Sequence, residues 1–247
     1  MQRSITDGNP FRSFYLRQAQ WHGFERPDLV LSAHARRLPY YRWITRGWLP
    51  DDLSSPVLDI GCGAGQFVYF LTQCGYTSVT GIDVDRAQVE LGRALGLNLH
   101  NEECLAYLRQ SRAEYRLVAF LDVLEHLTDQ ERYAVLKSLT ARLVVGGRVI
   151  MSVPNAESPI GLACRYGDVT HETAFTAVSL GQTLSVHDLK LLACADPFPA
   201  PIDVRRQLYR YGVLTCRRLE ALRLRCLGLA PPKYWGPVLW AVAEKIA

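Results

Sequence analysis

The stretch VLDIGCGAGQF, residues 57–67, decides the fold. An apolar run ends in three glycines at alternate positions, and an apolar pattern with helical spacing begins directly after them. Glycines at such a turn permit positive φ angles and let the backbone approach a ligand closely. The stretch therefore predicts a buried strand, a ligand-binding loop and the start of a helix.

Short apolar runs that alternate with helical patterns extend outward from this stretch. The predicted strands cover residues 56–60, 78–82, 97–100, 115–121, 147–153, 187–194 and 238–244. The predicted helices lie near residues 64–74, 85–95, 102–111, 129–143 and 176–184. This alternation predicts an α/β fold with a largely parallel sheet.

The chain of 247 residues is long enough for one α/β domain with added segments. Residues 1–50, which are rich in aromatic residues and Arg, are predicted to form an N-terminal helical cap. Residues 51–247 hold the α/β domain, with a basic helical insertion expected at about 203–230.

The composition excludes several classes of protein. Hydrophobic residues make up 49% and charged residues 21%, which excludes disorder and coiled coil. No apolar run reaches the roughly 18 residues of a spanning helix, and the polar N-terminus lacks a signal-peptide core. The seven cysteines are dispersed without a C-x-x-C pair, which indicates reduced thiols rather than disulfides or a zinc knuckle. We therefore expect a cytoplasmic protein.

The formal net charge of +4 is concentrated in one segment. Residues 203–233 contain seven Arg and one Lys against two acidic residues, a net charge of +6, so the remainder of the chain carries −2. Arg and Leu recur there at helical spacing. This pattern fits either an amphipathic helix packed on the domain or a helix lying on an anionic membrane. The second interpretation predicts a peripheral contact with the inner face of the membrane.

An acidic residue follows the second predicted strand. Asp83 lies 20 residues after Gly63, where nucleotide-binding α/β folds present a carboxylate to ribose hydroxyls. Helix capping, the alternative role for an acid in this stretch, suits Asp85 better. A dehydrogenase fingerprint would need a third glycine where this chain has Gln66, so a dinucleotide-binding loop is disfavoured.

The glycine stretch, Asp83 and the later stretch DVLEH at residues 122–126 together resemble the class I S-adenosylmethionine-dependent methyltransferases, whose first strand reads hydrophobic-L-D-x-G-C-G-x-G. The resemblance extends from about residue 39 to the C-terminus. It implies a Rossmann-like, seven-stranded and mostly parallel sheet with helices on both faces and an antiparallel last strand at 238–244. It also implies S-adenosyl-L-methionine as cofactor and methyl transfer as the reaction.

The same resemblance implies a set of cofactor-binding residues. Four of them surround the methionyl part of the cofactor, and Asp83 binds its ribose. Glu103 corresponds to the acid near the adenine, although Glu102 competes for that role. Asp59, Gly61, Gly63 and Gly65 are the four that surround the methionyl part. The full implied set is Asp59, Gly61, Gly63, Gly65, Asp83, Val84, Glu103, Leu121 and Asp122.

Two histidines are candidate catalytic residues. Asp122, Glu125 and His126 have i, i+3 and i+4 spacing, so a helical turn would place them on one side, next to the strand edge where open α/β sheets bind ligands. His171 lies in the long loop after the fifth predicted strand. An unperturbed imidazole titrates near neutral pH, so either ring suits a general base. The alternative for both is structural: a buried helix-start residue for His126 and a helix cap for His171.

These residues also resemble a narrower pattern. The methyltransferases of ubiquinone biosynthesis, and those that cap the 3′ end of small RNAs, hold a divalent metal with E-x-x-E-H and a loop histidine. Here Asp122 replaces the first Glu, and Glu125, His126 and His171 follow. The resemblance implies a divalent ion such as Mg. Two carboxylates and two imidazoles would also suit a borderline ion, which would act as a Lewis acid on the acceptor oxygen.

The loop RYGDVTHETAFT, residues 165–176, and the basic insertion resemble bacterial methyltransferases of surface-polysaccharide and glycolipid assembly. This resemblance implies O-methylation of a sugar hydroxyl on an anionic glycan or glycolipid acceptor. A phenol of a quinone or natural product is the alternative acceptor, and a non-catalytic cofactor-binding partner protein is the alternative of another class. Nucleic acid is not expected, because no aromatic stacking motif is visible. The sequence indicates no oligomeric state.

Overall fold

A computed structural model describes residues 26–247 of the chain. The first part of the predicted N-terminal cap, residues 1–25, lies outside the described residues. Within the remaining part of that cap, one helix, α1, covers Pro27–Ile44. A proline at the start of a helix costs little, because the first amide groups of a helix have no intrahelical partner.

The described residues form one seven-stranded sheet in the order β3-β2-β1-β4-β5-β7-β6. The strands are β1 (Val57–Ile60), β2 (Val79–Asp83), β3 (Leu99–Asn101), β4 (Tyr115–Leu121), β5 (Leu143–Pro154), β6 (Leu189–Ala195) and β7 (Val238–Lys245). The last strand is antiparallel to both of its neighbours, and the pairs among β1 to β5 are parallel. The predicted fold class and the antiparallel last strand are therefore confirmed.

The described part of the chain contains eight α-helices. After α1 these are α2 (Gln66–Gln73), α3 (Arg86–Arg93), α4 (Cys104–Gln110), α5 (Asp129–Arg142), α6 (Gly161–Gly167), α7 (Ala177–Ser185) and α8 (Val204–Cys226). Among residues 26–247, no helix has the length and apolar content that crossing a membrane requires.

One strand boundary differs from its prediction by more than two residues. The strand predicted from residue 147 begins at Leu143, directly after α5. Its pairing with β4 shifts between Leu143 and Arg148, around Gly146, which has a positive φ of 73°. A bulge of this kind interrupts the apolar pattern, which explains why the sequence predicts a later start.

Apolar side chains cover both faces of the central strands. All four residues of β1 are buried, as expected for a parallel strand with helices on both sides. On one face, Tyr41 of α1 packs against Phe67 of α2, with ring centroids 5.2 Å apart. On the other face, Phe120 of β4 belongs to one apolar cluster with Leu136 of α5.

The strand order brings the predicted cofactor residues to one edge of the sheet. Ile60 of β1 is in register with Ile82 of β2 and Phe120 of β4, so the residues after these positions meet at the carboxyl ends of three parallel strands. The strand order reverses between β1 and β4. Open α/β sheets bind ligands in the crevice at such a reversal.

Candidate active site

The glycine loop after β1 adopts a backbone that only glycine tolerates well. The φ angles of Gly61 and Gly63 are 72° and 54°. A Cβ atom at Gly61 would lie 2.4 Å from Val123 Cγ2, and one at Gly63 would lie 2.9 Å from Gln88 Oε1. The loop therefore has no room for side chains at these positions, as the sequence predicts.

Asp83 joins the glycine loop to the end of β2. Its carboxylate accepts hydrogen bonds from the backbone N–H groups of Gly63 and Asp85, each at 2.8 Å. Each carboxylate oxygen has a second lone pair, so the group can still accept hydroxyl donors. Burial raises the pKa of Asp83, and the backbone hydrogen bonds oppose that rise. Asp85 caps α3 by accepting from the N–H groups of Ala87 and Gln88, as predicted, and ribose binding by Asp83 stays a prediction.

Two further carboxylates share the cavity with Asp83. Asp59 is 2% exposed, and its burial together with the charge of Asp83 raises its pKa well above the ordinary value. Asp122 faces the open cavity, and its Oδ1 accepts a hydrogen bond from Ser152 Oγ at 2.8 Å. These three carboxylates favour a positively charged ligand group on their side of the cavity.

The cavity has a volume of about 1010 Å³, and residues from several elements line it. The glycine loop and the strand ends form one wall, and α1 and the loop after β6 form the others. The lining includes His34, Arg36, Arg37, Tyr40, Tyr41, Asp59, Gly61, Gly63, Asp83, Leu121, Asp122, His126, Asp168, His171, Phe198, Ile202, Arg206 and Trp240. The structure thus unites both candidate histidines with most of the predicted cofactor residues.

Three predicted cofactor residues do not line the cavity. Gly65 is the N-cap residue of α2, and the carbonyl oxygen of Val84 accepts a hydrogen bond from the Asn101 side chain. Both carboxylate oxygens of Glu103 accept backbone N–H groups of α4, so this side chain caps a helix. A cofactor contact of Glu103 stays a prediction.

The candidate histidines lie side by side, with ring centroids 4.5 Å apart. His171 Nδ1 lies 3.0 Å from the carbonyl oxygen of Cys164. Because a carbonyl oxygen can only accept, His171 Nδ1 carries the proton and Nε2 of the neutral ring carries the lone pair.

His126 belongs to a hydrogen-bonded chain that starts at a carboxylate. The Thr170 hydroxyl donates to Asp168 Oδ1 at 2.5 Å, so its oxygen accepts from His126 Nδ1 at 3.0 Å. The Thr170 backbone N–H donates to the same Asp168 oxygen at 2.8 Å. Burial acts to raise the pKa of Asp168, but the Thr170 hydrogen bonds and the nearby imidazoles outweigh it and lower that pKa. An ionised Asp168 therefore polarises the hydroxyl and keeps the lone pair of neutral His126 on Nε2.

Glu125 is a buried carboxylate beside these histidines. It is 1% exposed, and its Oε2 has no hydrogen-bond partner among the described residues. Burial, and then the charge of Asp122, raises its pKa well above the ordinary value. Glu125, His126 and His171 each offer one ligand atom, and these atoms lie within 4.8 Å of one another. This donor set fits a divalent cation.

Asp122 is not a member of this group, so the predicted set of four metal ligands is corrected to three. The predicted helical turn begins too early. The chain forms a 3-10 turn over Leu124–His126, and Asp122 precedes it with a positive φ of 53°. That backbone conformation gives Asp122 a hydrogen bond with Ser152 instead. A non-glycine residue at positive φ is uncommon, and spacing alone does not reveal it.

Several residues of the site have no motif that predicts their role. Asp168 and Thr170 are two of them, although their D-x-T spacing is typical of a local turn in which the acid accepts a hydrogen bond from the later N–H group. His34 of α1 contacts the Ala64 carbonyl oxygen through Nε2 at 2.9 Å and ties the cap to the glycine loop. Such contacts between distant segments leave no local pattern.

The comparisons with known proteins agree with this geometry. The family described as methyltransferase domain matches residues 32–193, which is more than half of the chain. The chain belongs to this methyltransferase family. Among curated proteins no sequence matches it.

Solved structures show the same fold. A SAM-dependent methyltransferase from Archaeoglobus fulgidus is 18% identical with a TM-score of 0.59, and the match covers 94% of this chain and 99% of that one. An S-adenosylmethionine-dependent methyltransferase from Mesorhizobium loti is 17% identical with a TM-score of 0.54, covering 81% and 94%. The N-methyltransferase NodS from Bradyrhizobium japonicum, in complex with S-adenosyl-L-homocysteine, is 16% identical with a TM-score of 0.53, covering 97% and 89%.

The cavity of this methyltransferase fits S-adenosyl-L-methionine. The absence of side chains at Gly61 and Gly63 lets the cofactor approach the loop backbone closely, Asp83 retains acceptor capacity for a diol, and buried Asp59 suits a cationic amino group. The cofactor, when bound, supplies an activated methyl group on a positively charged sulfur. The chain is a methyltransferase enzyme that uses this cofactor.

Proposed function

We propose that the chain is an O-methyltransferase that uses His126 as general base for an acceptor hydroxyl. The observation that carries the proposal is the chain from Asp168 through Thr170 to His126, in the same cavity as the cofactor residues. Because the methyl donor is already activated, the enzyme has to position the acceptor and remove its proton. A hydroxyl keeps its proton at neutral pH and therefore needs such a base.

His126 Nε2 would take the hydroxyl proton as the acceptor oxygen attacks the methyl group. The ring then becomes an imidazolium, and its Nδ1–H donates to Thr170 while the negative charge of Asp168 stabilises the new positive charge. His171, held by the Cys164 carbonyl oxygen, has its Nε2 lone pair as a second acceptor of hydrogen bonds. Its role in this scheme is to orient the acceptor.

The cavity supports an anionic sugar or glycolipid as the acceptor class. Arg36, Arg37 and Arg206 line it, and they would attract phosphate or carboxylate groups. Tyr40, which is half-buried, lies in the same lining and offers an aromatic surface for a sugar ring, and Trp240 packs behind it. This aromatic surface suits a quinone or natural-product phenol equally well, so that acceptor is the alternative to be tested. We do not propose nucleic acid as the acceptor. We propose that the enzyme acts in the cytoplasm.

A second candidate mechanism uses a divalent metal. The unpartnered Oε2 of buried Glu125 favours it, because such a carboxylate needs either a proton or a cation. Glu125, His126 and His171 would hold the ion, and Thr170 and the Cys164 carbonyl would orient the imidazoles. The ion would act as a Lewis acid on the acceptor oxygen. Two imidazoles suit zinc or iron better than Mg.

A labelled-methyl assay tests the proposal. The wild-type protein is incubated with sugar nucleotides, glycolipids and quinones, and the products are identified by mass spectrometry. The best acceptor is then used with His126→Ala and with His100→Ala, an exposed histidine on β3 that serves as the matched control. We expect a loss of about a hundredfold to ten-thousandfold for the first variant and no loss for the second.

Three outcomes separate the alternatives. Cofactor binding without transfer to any acceptor would favour the non-catalytic partner protein. Methylation of amines alone would contradict the O-methyltransferase. Full activity in chelator, together with a loss in His126→Ala, would leave the general base as the mechanism. For the metal, calorimetric titration with zinc should show binding that His171→Ala removes and His100→Ala retains.

A further inference from the structure

Helix α8 has an unusual position in the molecule, since none of its 23 residues is buried. One stripe rests half-buried on the body of the protein and includes Arg210, Leu214 and Arg217. Arg217 forms an ion pair with Asp196 at 2.8 Å, and Arg210 donates to the Pro199 carbonyl oxygen at 2.8 Å. These contacts anchor the helix to the loop after β6.

The opposite face of α8 is apolar and points away from the body. Its large members are between 57% and 76% exposed. They recur at intervals of three, four, seven or eight residues, which places them on one side of a helix. This outer stripe consists of Val204, Leu208, Tyr211, Leu219 and Leu222.

Arginines border the outer stripe on both sides. By helical spacing, Arg205 and Arg223 lie along one border and Arg218 and Arg225 along the other. The helix contains a single acidic residue, Glu220, and that side chain already pairs with Arg223 at 2.7 Å. An exposed apolar stripe between two cationic borders is typical of helices that lie in the plane of a membrane surface.

We propose that α8 lies flat on the surface of an anionic lipid bilayer. The outer stripe would enter the boundary between headgroups and acyl chains, and the bordering arginines would contact lipid phosphates. Charge complementarity favours a bilayer over a second copy of the chain as the partner of this stripe. Pairing two outer stripes would bring two sets of arginines together, and Glu220 offers no free carboxylate to balance them.

The location of α8 connects this surface to the cavity. Arg206, in the first turns of α8, lines the cavity together with Phe198 and Ile202 from the preceding segment. Arg206 is two positions from both Val204 and Leu208, so it lies on the opposite side of the helix from the outer stripe, and a lipid-linked acceptor would reach the cavity around the N-terminal end of α8. This last step rests on the proposed function, whereas the membrane contact does not.

Vesicle flotation tests the contact. The protein is mixed with vesicles of phosphatidylcholine alone or of phosphatidylcholine with phosphatidylglycerol, at low and high salt. We expect binding to the mixed vesicles that weakens as salt increases, and little binding to the neutral ones. Because no acceptor or methyl transfer is involved, a failure of the proposed function leaves this result unaffected.

Matched variants identify the surface that binds. Leu219→Glu should weaken binding at least about tenfold, because it removes one apolar anchor. Val186→Glu, an equally exposed position outside α8, is its control. Arg218→Gln should weaken binding about fivefold, with exposed Arg112→Gln as its control. Unchanged binding of S-adenosyl-L-homocysteine shows that each variant is folded.

Four results would overturn the proposal. They are absence of vesicle binding, equal binding to neutral and anionic vesicles, equal losses in a variant and its control, and self-association through the stripe. The last would appear in sedimentation velocity as a wild-type dimer that Leu219→Glu converts to a monomer, without vesicle binding.

Discussion

Replacing Thr170 by valine tests the hydrogen-bonded chain behind His126 while preserving the shape of the side chain. Thr170 is 5% exposed and does not line the cavity, so the substitution leaves the binding surface intact. It removes the oxygen that accepts from His126 Nδ1 at 3.0 Å and donates to Asp168 at 2.5 Å. The substitution therefore separates support of the imidazole from binding.

The expected magnitude follows from the charge that develops on the ring. A hydrogen bond to a charged group contributes about 1.5–3 kcal/mol, and His126 becomes charged only as it takes the acceptor proton. Losing this contribution in the transition state lowers kcat by about 10-fold to 150-fold. The KM for S-adenosyl-L-methionine should not change, because the hydrogen bond strengthens only when the ring becomes charged in the transition state and Thr170 does not line the cavity.

The assay is single-turnover transfer of labelled methyl at saturating cofactor, with the best acceptor of the panel. Thr140→Val is the matched control, since Thr140 is a buried threonine of α5 whose hydroxyl donates to Leu136 at 2.9 Å. A kcat within twofold of wild type, or an equal loss in both variants, would refute the role of the chain. Restoration of Thr170→Val by added zinc would instead assign Thr170 to the orientation of a metal ligand.

Three further predictions concern Asp83, the glycine loop, and Asp168 behind His126. Asp83→Ala should weaken binding of S-adenosyl-L-homocysteine by about 10-fold to 150-fold in calorimetry, and unchanged affinity would contradict the ribose assignment. Gly63→Ala should lower the free energy of unfolding. A residue with a side chain at positive φ costs about 1–2 kcal/mol, and the loss should be larger here because the new Cβ would also approach Gln88. Gly96→Ala, at φ 80° in open space, isolates the strain and should retain cofactor binding. The pKa of Asp168 is lower in the folded protein than in the unfolded chain, so ionised Asp168 stabilises the folded state at pH values above the unfolded-state pKa. This stabilisation is lost as the pH falls through the folded-state pKa. Melting temperatures of wild type and Asp168→Asn should therefore converge at acidic pH.

Local pattern was sufficient for the individual strands and for the glycine loop. The glycine loop, the place of Asp83 after β2 and the existence of β7 follow from short stretches of sequence, whereas the antiparallel direction of β7 and the cofactor-binding set were implied by the family resemblance. Glycine spacing reports positive φ, and apolar runs report burial, so these features are readable one segment at a time. The order of the strands then brings the predicted residues to one edge.

The catalytic half of the cavity depended on contacts between distant segments. Thr170 reaches His126 across 44 positions of the chain, and α1 closes the cavity through residues that carry no motif. The positive φ of Asp122 removed it from the predicted metal ligands, because a backbone conformation decides where a side chain lies.

Helix α8 also has features that the sequence determines and others that only the tertiary structure decides. The sequence alone determined that residues 203–230 are basic and contain an amphipathic helix, because charge and periodicity are properties of the residues themselves. It could not determine which face of the helix meets the protein, since Leu214 and Leu219 are chemically the same. Only the tertiary structure decided that Leu214 lies against the body and that Leu219 faces outward, because the anchoring contacts of Arg210 and Arg217 set the rotation of the helix.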